Sequence, residues 1–201
     1  MDAGKDRRVR KTEKAMRSAL VELMEQGPLV RVTVSELVEL ADVNRSTFYR
    51  HYLDIPDMAE KIGKEIVDAM LEIMLEYKNT AASGVSAECV ARIAAFLRER
   101  RREFLALDGK GGDIRFHRSI DAMFRSYAED CFWPCFGDGK DDARLPLLFS
   151  FYFSGLSSLV REWLAGGCLQ SEAYLGNAAE ALDRHVRLAF SEVGVDTGAL
   201  P

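Results

Sequence analysis

Side chains that could contact nucleic acid are concentrated in one short block, NRSTFYRHY, at residues 44–52. The block contains two arginines, one histidine and three aromatic residues, although the formal net charge of the whole chain is -5. In a helix through this block the outward positions are Arg45, Ser46, Thr47 and Arg50. Guanidinium and hydroxyl groups donate hydrogen bonds to base edges and phosphates in the major groove of DNA. The block therefore indicates an anionic partner that is contacted by one helix.

A second cationic segment lies at the N-terminus. Residues 1–17 carry a net charge of +4, which leaves -9 for the rest of the chain. A cationic end on an acidic body favours an anionic partner at that end. A solvated, frayed tail would have the same composition, so the charge alone leaves both interpretations open.

Capping residues predict the two helices that would present the block. Thr33 and Glu36 have the spacing of a capping box, in which each side chain accepts a hydrogen bond from the other residue's backbone amide. Asn44 is a suitable N-cap for the next helix, which we expect to run to about His51. Asp42, between the helices, is expected in the left-handed backbone region. Two short helices joined in this way form a helix-turn-helix, although a hairpin that serves only packing would show the same spacing.

Hydrophobic periodicity predicts an all-α protein of about nine helices, because apolar residues recur with a period of 3.6 and not of two. We expect a DNA-binding domain at residues 8–54 and a larger helical domain at residues 55–195, with a fourth helix from Asp54 joining them. The first helix and the last two are predicted at about residues 11–26, 145–165 and 171–192. The run RERRRE, residues 98–103, is expected to be the solvated end of a fifth helix.

The segment TVSELVELADVNRSTFYRHYLDIPDM resembles the helix-turn-helix of TetR-family transcriptional regulators, and the likeness covers about residues 10–65. FYFSGLSSLVREWLAGG is similar to the penultimate helix of many such regulators. The resemblance implies a helix-turn-helix at about residues 33–52 in which Arg45, Ser46 and Thr47 face bases. It also implies that Thr33, Tyr49, His51 and Tyr52 approach the DNA backbone or hold the recognition helix. Asn44 and Arg50 complete the predicted DNA-binding set.

Two residues depart from the family pattern. Asp42 replaces the usual glycine of the turn and places a negative charge near the phosphates. Ile55 stands where the family usually has a phosphate-contacting lysine, so one backbone contact should be missing. The basic segment from Lys5 to Lys14 is expected to compensate by reaching phosphate or a minor groove.

The resemblance further implies a homodimer formed by the last two helices. Small residues, among them Ser154 and Gly155, would let helices approach closely, and the surrounding apolar surface exceeds what one face of a monomer needs. A helix buried inside one subunit remains the alternative. The predicted interface consists of Phe149, Tyr152, Phe153, Gly155, Leu156, Leu159 and Trp163.

A small-molecule effector is expected to bind in the C-terminal domain. Candidate pocket walls are methionine and aromatic residues, each of which could equally be plain core: Met70, Met74, Phe96, Phe116, Met123, Phe124, Tyr127 and Trp133. Because this set contains no charged cluster, an apolar or aromatic effector is favoured. The ligand would favour a conformation in which two recognition helices, ~34 Å apart in the dimer, no longer fit the operator. Helix four is the expected transmitter, and the regulator is expected to be a repressor.

Other classes of function find little support in the sequence. Only three histidines are present, His51, His117 and His185, and none lies next to a recognisable nucleophile or metal-ligand set, so we expect no enzyme, no metal and no cofactor. The four cysteines lack disulfide or zinc spacing, and Cys131 and Cys135 are expected to be reduced. The N-terminus lacks a signal peptide and the longest uncharged run has 16 residues, which predicts a cytoplasmic protein without a membrane span. A helical ligand carrier or interaction protein with weakened DNA binding is the alternative, motivated by Asp42, Ile55 and the acidic body.

Overall fold

A computed structural model describes residues 3–78, 85–132 and 145–192 of the chain. Within these ranges the protein is all-α, with nine α-helices and no strand, as the sequence predicts. The helices are α1 (Ala3–Gln26), α2 (Val34–Leu40), α3 (Arg45–His51), α4 (Ile55–Glu76), α5 (Ala87–Glu99), α6 (Arg101–Asp108), α7 (Ile114–Tyr127), α8 (Leu145–Ala165) and α9 (Glu172–Glu192). A 3₁₀ turn, Leu29–Arg31, precedes α2, and a π-helical turn, Ala128–Phe132, follows α7.

Local capping interactions set several of these bounds. Asp54 accepts a hydrogen bond from the Asp57 amide at 2.7 Å where α4 begins, and Ser86 accepts one from the Cys89 amide at 3.3 Å at the start of α5. α8 ends at two glycines, and the second of them, Gly167, adopts a positive φ of 86°. α1 begins at Ala3 and not at the predicted residue 11, so the basic segment from Lys5 to Lys14 is part of this helix.

The arginine-rich run is not the solvated end of one helix, as the sequence had suggested. α5 ends at Glu99 and α6 begins at Arg101, and the first two arginines of α6 have separate partners. Arg101 donates to the carbonyl oxygens at the end of α8, from Leu164 and Ala165. Arg102 makes a bidentate pair with Glu25 of α1 at 3.0 and 2.8 Å. These partners lie more than sixty residues away along the chain, so no local pattern predicts them.

The chain packs into two compact units. The first contains residues 1–66 and 102–119, and the second contains residues 67–101 and 120–201. The core of the first unit includes Met16, Leu20, Leu37, Phe48, Met58, Ile62 and Phe104, and that of the second includes Met70, Met74, Leu97, Phe149, Leu164 and Leu175. The helix-turn-helix lies in the first unit. The sequence predicted a division after residue 54 between two domains of different function. That division stays a prediction.

Residues 102–119 belong to the first unit through specific contacts. The Leu29 amide donates to the Gly111 carbonyl at 2.8 Å, and Arg115 contacts Glu60 of α4 at 2.6 Å. Gly63 of α4 lies so close to the Phe116 ring that an added Cβ would be 2.8 Å from it. Residues 109–113 connect α6 to α7, and Gly111 fastens this connection to the turn that precedes α2.

None of the helices within the described ranges is long and apolar enough to cross a membrane.

Candidate nucleic-acid interface

The capping box at the start of α2 is present in the structure. The Glu36 amide donates to the Thr33 hydroxyl at 3.3 Å, and the Glu36 carboxylate accepts from the Thr33 amide at 3.0 Å and from its hydroxyl at 2.6 Å. These hydrogen bonds lower the pKa of the Glu36 carboxyl from its ordinary value. Thr33 is exposed and is engaged in the cap, so its first role is to begin α2.

The turn between α2 and α3 contains the predicted left-handed residue. Asp42 has a φ of 51° and is exposed. The Val43 amide donates to the Val38 carbonyl at 3.0 Å, which folds the chain back against α2. Ala41, at the end of α2, is buried. Asp42 thus adopts the left-handed backbone conformation that favours glycine, and its side chain is exposed.

The amide oxygen of Asn44 caps α3. It accepts from the Thr47 amide at 2.8 Å, from the Thr47 hydroxyl at 2.8 Å and from the Ser46 hydroxyl at 2.7 Å. The N-terminal amides of a helix otherwise lack partners, so these contacts fix where α3 begins. Asn44 therefore positions the residues that follow it.

The inner face of α3 is aromatic. Phe48 is fully buried, and Tyr52, at the end of the helix, is 6% exposed with its ring 5.7 Å from that of Phe48. Burial raises the pKa of the Tyr52 phenol, and nearby Arg17 opposes the shift. Of the two roles that the resemblance implied for Tyr52, its burial supports holding the recognition helix.

The outer face of α3 carries donors. Arg45, Ser46, Tyr49 and Arg50 are exposed, and Thr47 is half-buried. Arg45 donates to the Ser35 hydroxyl of α2, and Arg50 lies 3.5 Å from the Thr47 hydroxyl. Tyr49 packs edge-on against Phe48 at 5.4 Å and remains 56% exposed. Of the three side chains that the sequence assigned to bases, Arg45 and Ser46 are exposed and Thr47 is half-buried.

His51 faces α1. Its Nδ1 lies 3.1 Å from the Glu13 carboxylate, and its side chain is 15% exposed. The contact fastens the last turn of α3 to α1, so the structure supports the holding role for His51 as well.

Lys61 of α4 was missed by the sequence reasoning. Its ammonium donates to the His51 carbonyl at 3.1 Å and to the Asp57 carboxylate at 3.0 Å, and it lies 5.5 Å from the centre of the Tyr52 ring. A cation at the C-terminus of α3 complements the helix dipole. The signal available in the sequence was the i,i+4 spacing of Asp57 and Lys61.

The position that the family fills with lysine is part of the core. Ile55 is 3% exposed in the first unit. Within the basic segment from Lys5 to Lys14, the side chains that are described belong to Arg10, Lys11 and Lys14, and all three are exposed. The side chains of residues 1–8, including Lys5, lie outside the described part of the structure.

Comparison with solved structures identifies the fold. The structure of a TetR transcriptional regulator from Streptococcus agalactiae is similar with a TM-score of 0.54 and 22% identity, over 89% of this chain and 96% of that one. The fatty acid degradation regulator FadR from Bacillus halodurans is similar with a TM-score of 0.55 and 13% identity, over 85% of this chain and 93% of that one. The chain has the TetR-type fold.

Comparison of sequences alone finds weaker similarity than comparison of structures. No family model matches the sequence. An uncharacterised HTH-type transcriptional regulator of Bacillus subtilis, YxbF, is 26% identical over 121 residues, which cover 56% of this chain and 30% of that protein. The match therefore spans less than a third of the relative's length. The all-α class and the likeness to TetR-type proteins predicted from the sequence are confirmed at the level of the fold.

In the second unit of this TetR-type fold, a cleft of about 220 Å³ lies between α7 and α8. α7 contributes Asp121, Phe124 and Arg125. α8 contributes two phenylalanines, four serines and an arginine: Phe149, Ser150, Phe153, Ser154, Ser157, Ser158 and Arg161. The cleft thus combines phenylalanine rings with hydroxyl, guanidinium and carboxylate groups.

Most of the predicted pocket residues lie elsewhere. Phe124 lines the cleft, whereas Met70, Met74 and Met123 are buried in the second unit. Phe116 belongs to the first unit, where its ring packs edge-on against Phe104 at 5.6 Å. The remaining predicted walls are half-buried Phe96 and Tyr127. Trp133, Cys135 and the side chain of Cys131 lie outside the described residues.

Four of the seven predicted interface residues are part of the monomer's own core. Phe149, Tyr152, Phe153 and Trp163 are buried within one chain, and their assignment to a subunit interface stays a prediction. Leu156 and Leu159 are half-buried, and Gly155 is exposed. The sequence shows that α8 is apolar on several sides, but it does not show which side meets α9.

The polar side of α8 could have been recognised in the sequence. Ser150, Ser154, Ser157 and Arg161 recur at helical spacing within an otherwise apolar helix. The sequence reasoning interpreted the serines as small residues that permit close helix packing. In the structure Ser150 and Ser154 are exposed, Ser157 and Arg161 are half-buried, and all four line the cleft.

Proposed function

We propose that this chain is a sequence-specific DNA-binding transcriptional regulator of the TetR type. The observation that carries the proposal is α3, a capped helix that presents Arg45, Ser46, Tyr49 and Arg50 on its outer face while Phe48 anchors it in the core. The fold neighbours are named as regulators, and YxbF is named as an HTH-type regulator. α3 would lie in the major groove of double-stranded operator DNA.

The exposed residues are assigned to base contacts or to phosphate contacts according to their positions on the helices. Arg45 and Ser46, in the first turn of α3, would read base edges, and Arg50 and Tyr49 would contact phosphates or bases nearby. Thr33 would contact the backbone at the start of α2. The exposed basic residues of α1, Arg10, Lys11 and Lys14, would add phosphate contacts.

The regulator acts as a homodimer in this proposal. Exposed apolar residues recur along the outer sides of α8 and α9: Leu147, Phe151, Tyr174, Leu182 and Leu188. Gly155 is exposed on the same part of α8, with open space around its Cβ position. Two copies paired through these helices would hold their α3 helices ~34 Å apart, one turn of DNA.

A small molecule that binds the second unit would release the regulator from DNA, so the regulator would be a repressor. The ligand must bind the conformation that fits the operator less well, because only differential affinity shifts an equilibrium. Ligand and DNA then weaken each other's binding by the same factor.

The test is binding of the purified protein to its own promoter DNA, measured by fluorescence anisotropy over a series of salt concentrations. We expect saturable binding that weakens steeply with salt, by about tenfold or more from low to physiological salt. An Arg50→Gln variant should bind less tightly and with a shallower salt slope, whereas Arg184→Gln, an exposed arginine of α9, should match the wild type.

Absent or salt-insensitive binding would contradict the regulator and favour a helical ligand-binding or interaction protein with weakened DNA binding. The exposed charge of Asp42 beside α3 is the observation that motivates this alternative. An Asp42→Gly variant keeps the left-handed turn and removes the charge, so a gain in DNA affinity would identify the electrostatic cost.

A further inference from the structure

We propose that the cleft between α7 and α8 binds a small organic carboxylate whose apolar body lies against the phenylalanines. This proposal names the chemical class of the effector, and in that respect it rests on the proposed function. Binding to the cleft is a separate property that can be measured without DNA.

The charge of the cleft favours a monoanion. Arg125 projects from α7 and Arg161 from α8, while Asp121 is the single acidic residue among those that line it. Guanidinium groups match carboxylates in shape and form charge-assisted, often bidentate, hydrogen bonds with them. A carboxylate in the cleft would accept such hydrogen bonds from Arg125 of α7.

Hydroxyl groups surround the same space. Ser150, Ser154 and Ser157 follow one another at helical spacing on the side of α8 that also carries Arg161. Each hydroxyl can rotate to donate to an oxyanion. α8 is otherwise rich in apolar residues, so a row of hydroxyls ending in an arginine gives this side of the helix a distinct chemistry.

Three phenylalanine rings lie at the floor of the cleft, and half-buried Phe124 is the one that an apolar body would contact most. The Phe153 ring lies 4.2 Å from Phe149 and 5.0 Å from Phe124, measured between ring centres. Phe149 and Phe153 are buried and belong to one cluster with Tyr152 and Ala128. Tyr152 in turn donates to the buried carboxylate of Asp183 on α9. The rings are therefore held in place before any ligand arrives.

Size limits the ligand. A volume of about 220 Å³ lies below the ~300–1,000 Å³ of pockets that hold drug-sized molecules. A carboxylate with one ring or a short chain is the expected occupant.

The experiment is isothermal titration calorimetry of the full-length protein with 3-phenylpropanoate, compared with its neutral amide, 3-phenylpropanamide. We expect saturable binding of the carboxylate and binding of the amide that is weaker by about tenfold or more, because a charge-assisted contact is lost. Equal affinity for the two compounds, or no binding of the carboxylate, would overturn the proposal.

Three variants locate the binding. Arg125→Gln should weaken the carboxylate by about tenfold or more, whereas Arg118→Gln makes the same charge change two turns earlier on α7, outside the lining, and should have no effect. Asp121→Asn removes the opposing charge and should strengthen binding, a gain that a folding defect cannot imitate. Equal losses for Arg118→Gln and Arg125→Gln, or a loss for Asp121→Asn, would place the carboxylate elsewhere.

The calorimetric titration and the DNA-binding measurement together separate this proposal from the proposed regulator. If the carboxylate binds with the expected variant pattern and the protein does not bind DNA, the cleft is supported and the regulator is contradicted. If the protein binds promoter DNA and the carboxylate fails to bind, the regulator stands and the cleft proposal is overturned.

Discussion

At the scale of single residues, the adjacent Asn44 and Arg45 differ in function: Asn44 caps α3, and Arg45 lies exposed on its first turn. The Asn44 amide oxygen is occupied by donors from Ser46 and Thr47, whereas the Arg45 guanidinium lies on the exposed face and donates to Ser35 of α2. The first residue decides where α3 begins. The second is then presented at a fixed point on its first turn.

Asn44→Ala should destabilise the protein by about 1 kcal/mol, because α3 loses its cap. It should weaken DNA binding as well, since the first turn would fray. Asn44→Asp retains a capping oxygen and should unfold at nearly the wild-type denaturant concentration, yet its added negative charge should weaken DNA binding. Urea unfolding and anisotropy measured on both variants separate the two effects. Full DNA affinity for Asn44→Asp would place this position away from phosphates.

Arg45→Ala should cost roughly 1–3 kcal/mol in discrimination at one base pair of each half-site if the guanidinium reads a guanine. Competition against operators that carry single substitutions measures this. Arg45→Lys serves as the companion variant, because it retains the charge and loses the bidentate geometry. An equal loss of affinity on every DNA sequence would show that Arg45 contacts only phosphate.

At the scale of helices, the N-terminus of α5 is fastened to α9. The Asp183 carboxylate accepts from the Val85 amide at 3.1 Å, and the Glu180 carboxylate accepts from the Ala87 amide at 3.3 Å. One turn earlier on α9, Gly176 lies against the α5 backbone, and an added Cβ would be 2.1 Å from the Ala87 carbonyl oxygen. The absence of a side chain lets the two helices come close enough for both carboxylates to reach.

Gly176→Ala should therefore destabilise the protein by roughly 1–3 kcal/mol, although alanine favours helix over glycine. Asn177→Ala is the matched control, because residue 177 is exposed on the same helix and the change raises helix propensity by about 0.5 kcal/mol. Thermal unfolding of both variants gives the comparison. A Gly176→Ala protein as stable as Asn177→Ala would mean that α5 and α9 do not pack this closely.

The helices whose bounds the sequence predicted well are those with local signals. Thr33 and Asn44 cap α2 and α3 through residues three positions ahead, and the glycines after Ala165 end α8. The break between α5 and α6 carries no such signal, because Arg101 and Arg102 are held by partners distant along the chain. The orientation of α8 was equally hidden, since Phe149 and Phe151 are the same residue type and only packing against α9 and α7 buries one and exposes the other.

At the scale of the whole molecule, the outer sides of α8 and α9 leave large apolar side chains exposed. Phe151 is 71% exposed, and Leu147, Tyr174, Leu182 and Leu188 are exposed as well. A contiguous apolar patch formed by such side chains would mark an interaction site, as the proposed dimer requires.

Phe151→Lys should convert the proposed dimer to monomers, because it would place a charge in a desolvated interface. Light scattering of the purified protein measures the mass. Leu169→Lys is the control, since Leu169 is 84% exposed in the connection between α8 and α9 and its replacement should leave the dimer intact. An unchanged mass for Phe151→Lys would move the interface away from this side of α8.

The first unit is discontinuous along the chain, and this limits how the protein can be recombined with a related one. Glu25 and Glu60 are encoded in the N-terminal segment, whereas their partners Arg102 and Arg115 are encoded in a separate segment that follows α5. Consider a chimaera that receives only residues 1–66 from a related protein. Its residues at positions 25 and 60 would then face Arg102 and Arg115 of this chain. Its 3₁₀ turn would likewise face Gly111 of this chain. The two segments must be exchanged together, because the first unit is encoded in two separated parts of the chain and not in an N-terminal cassette.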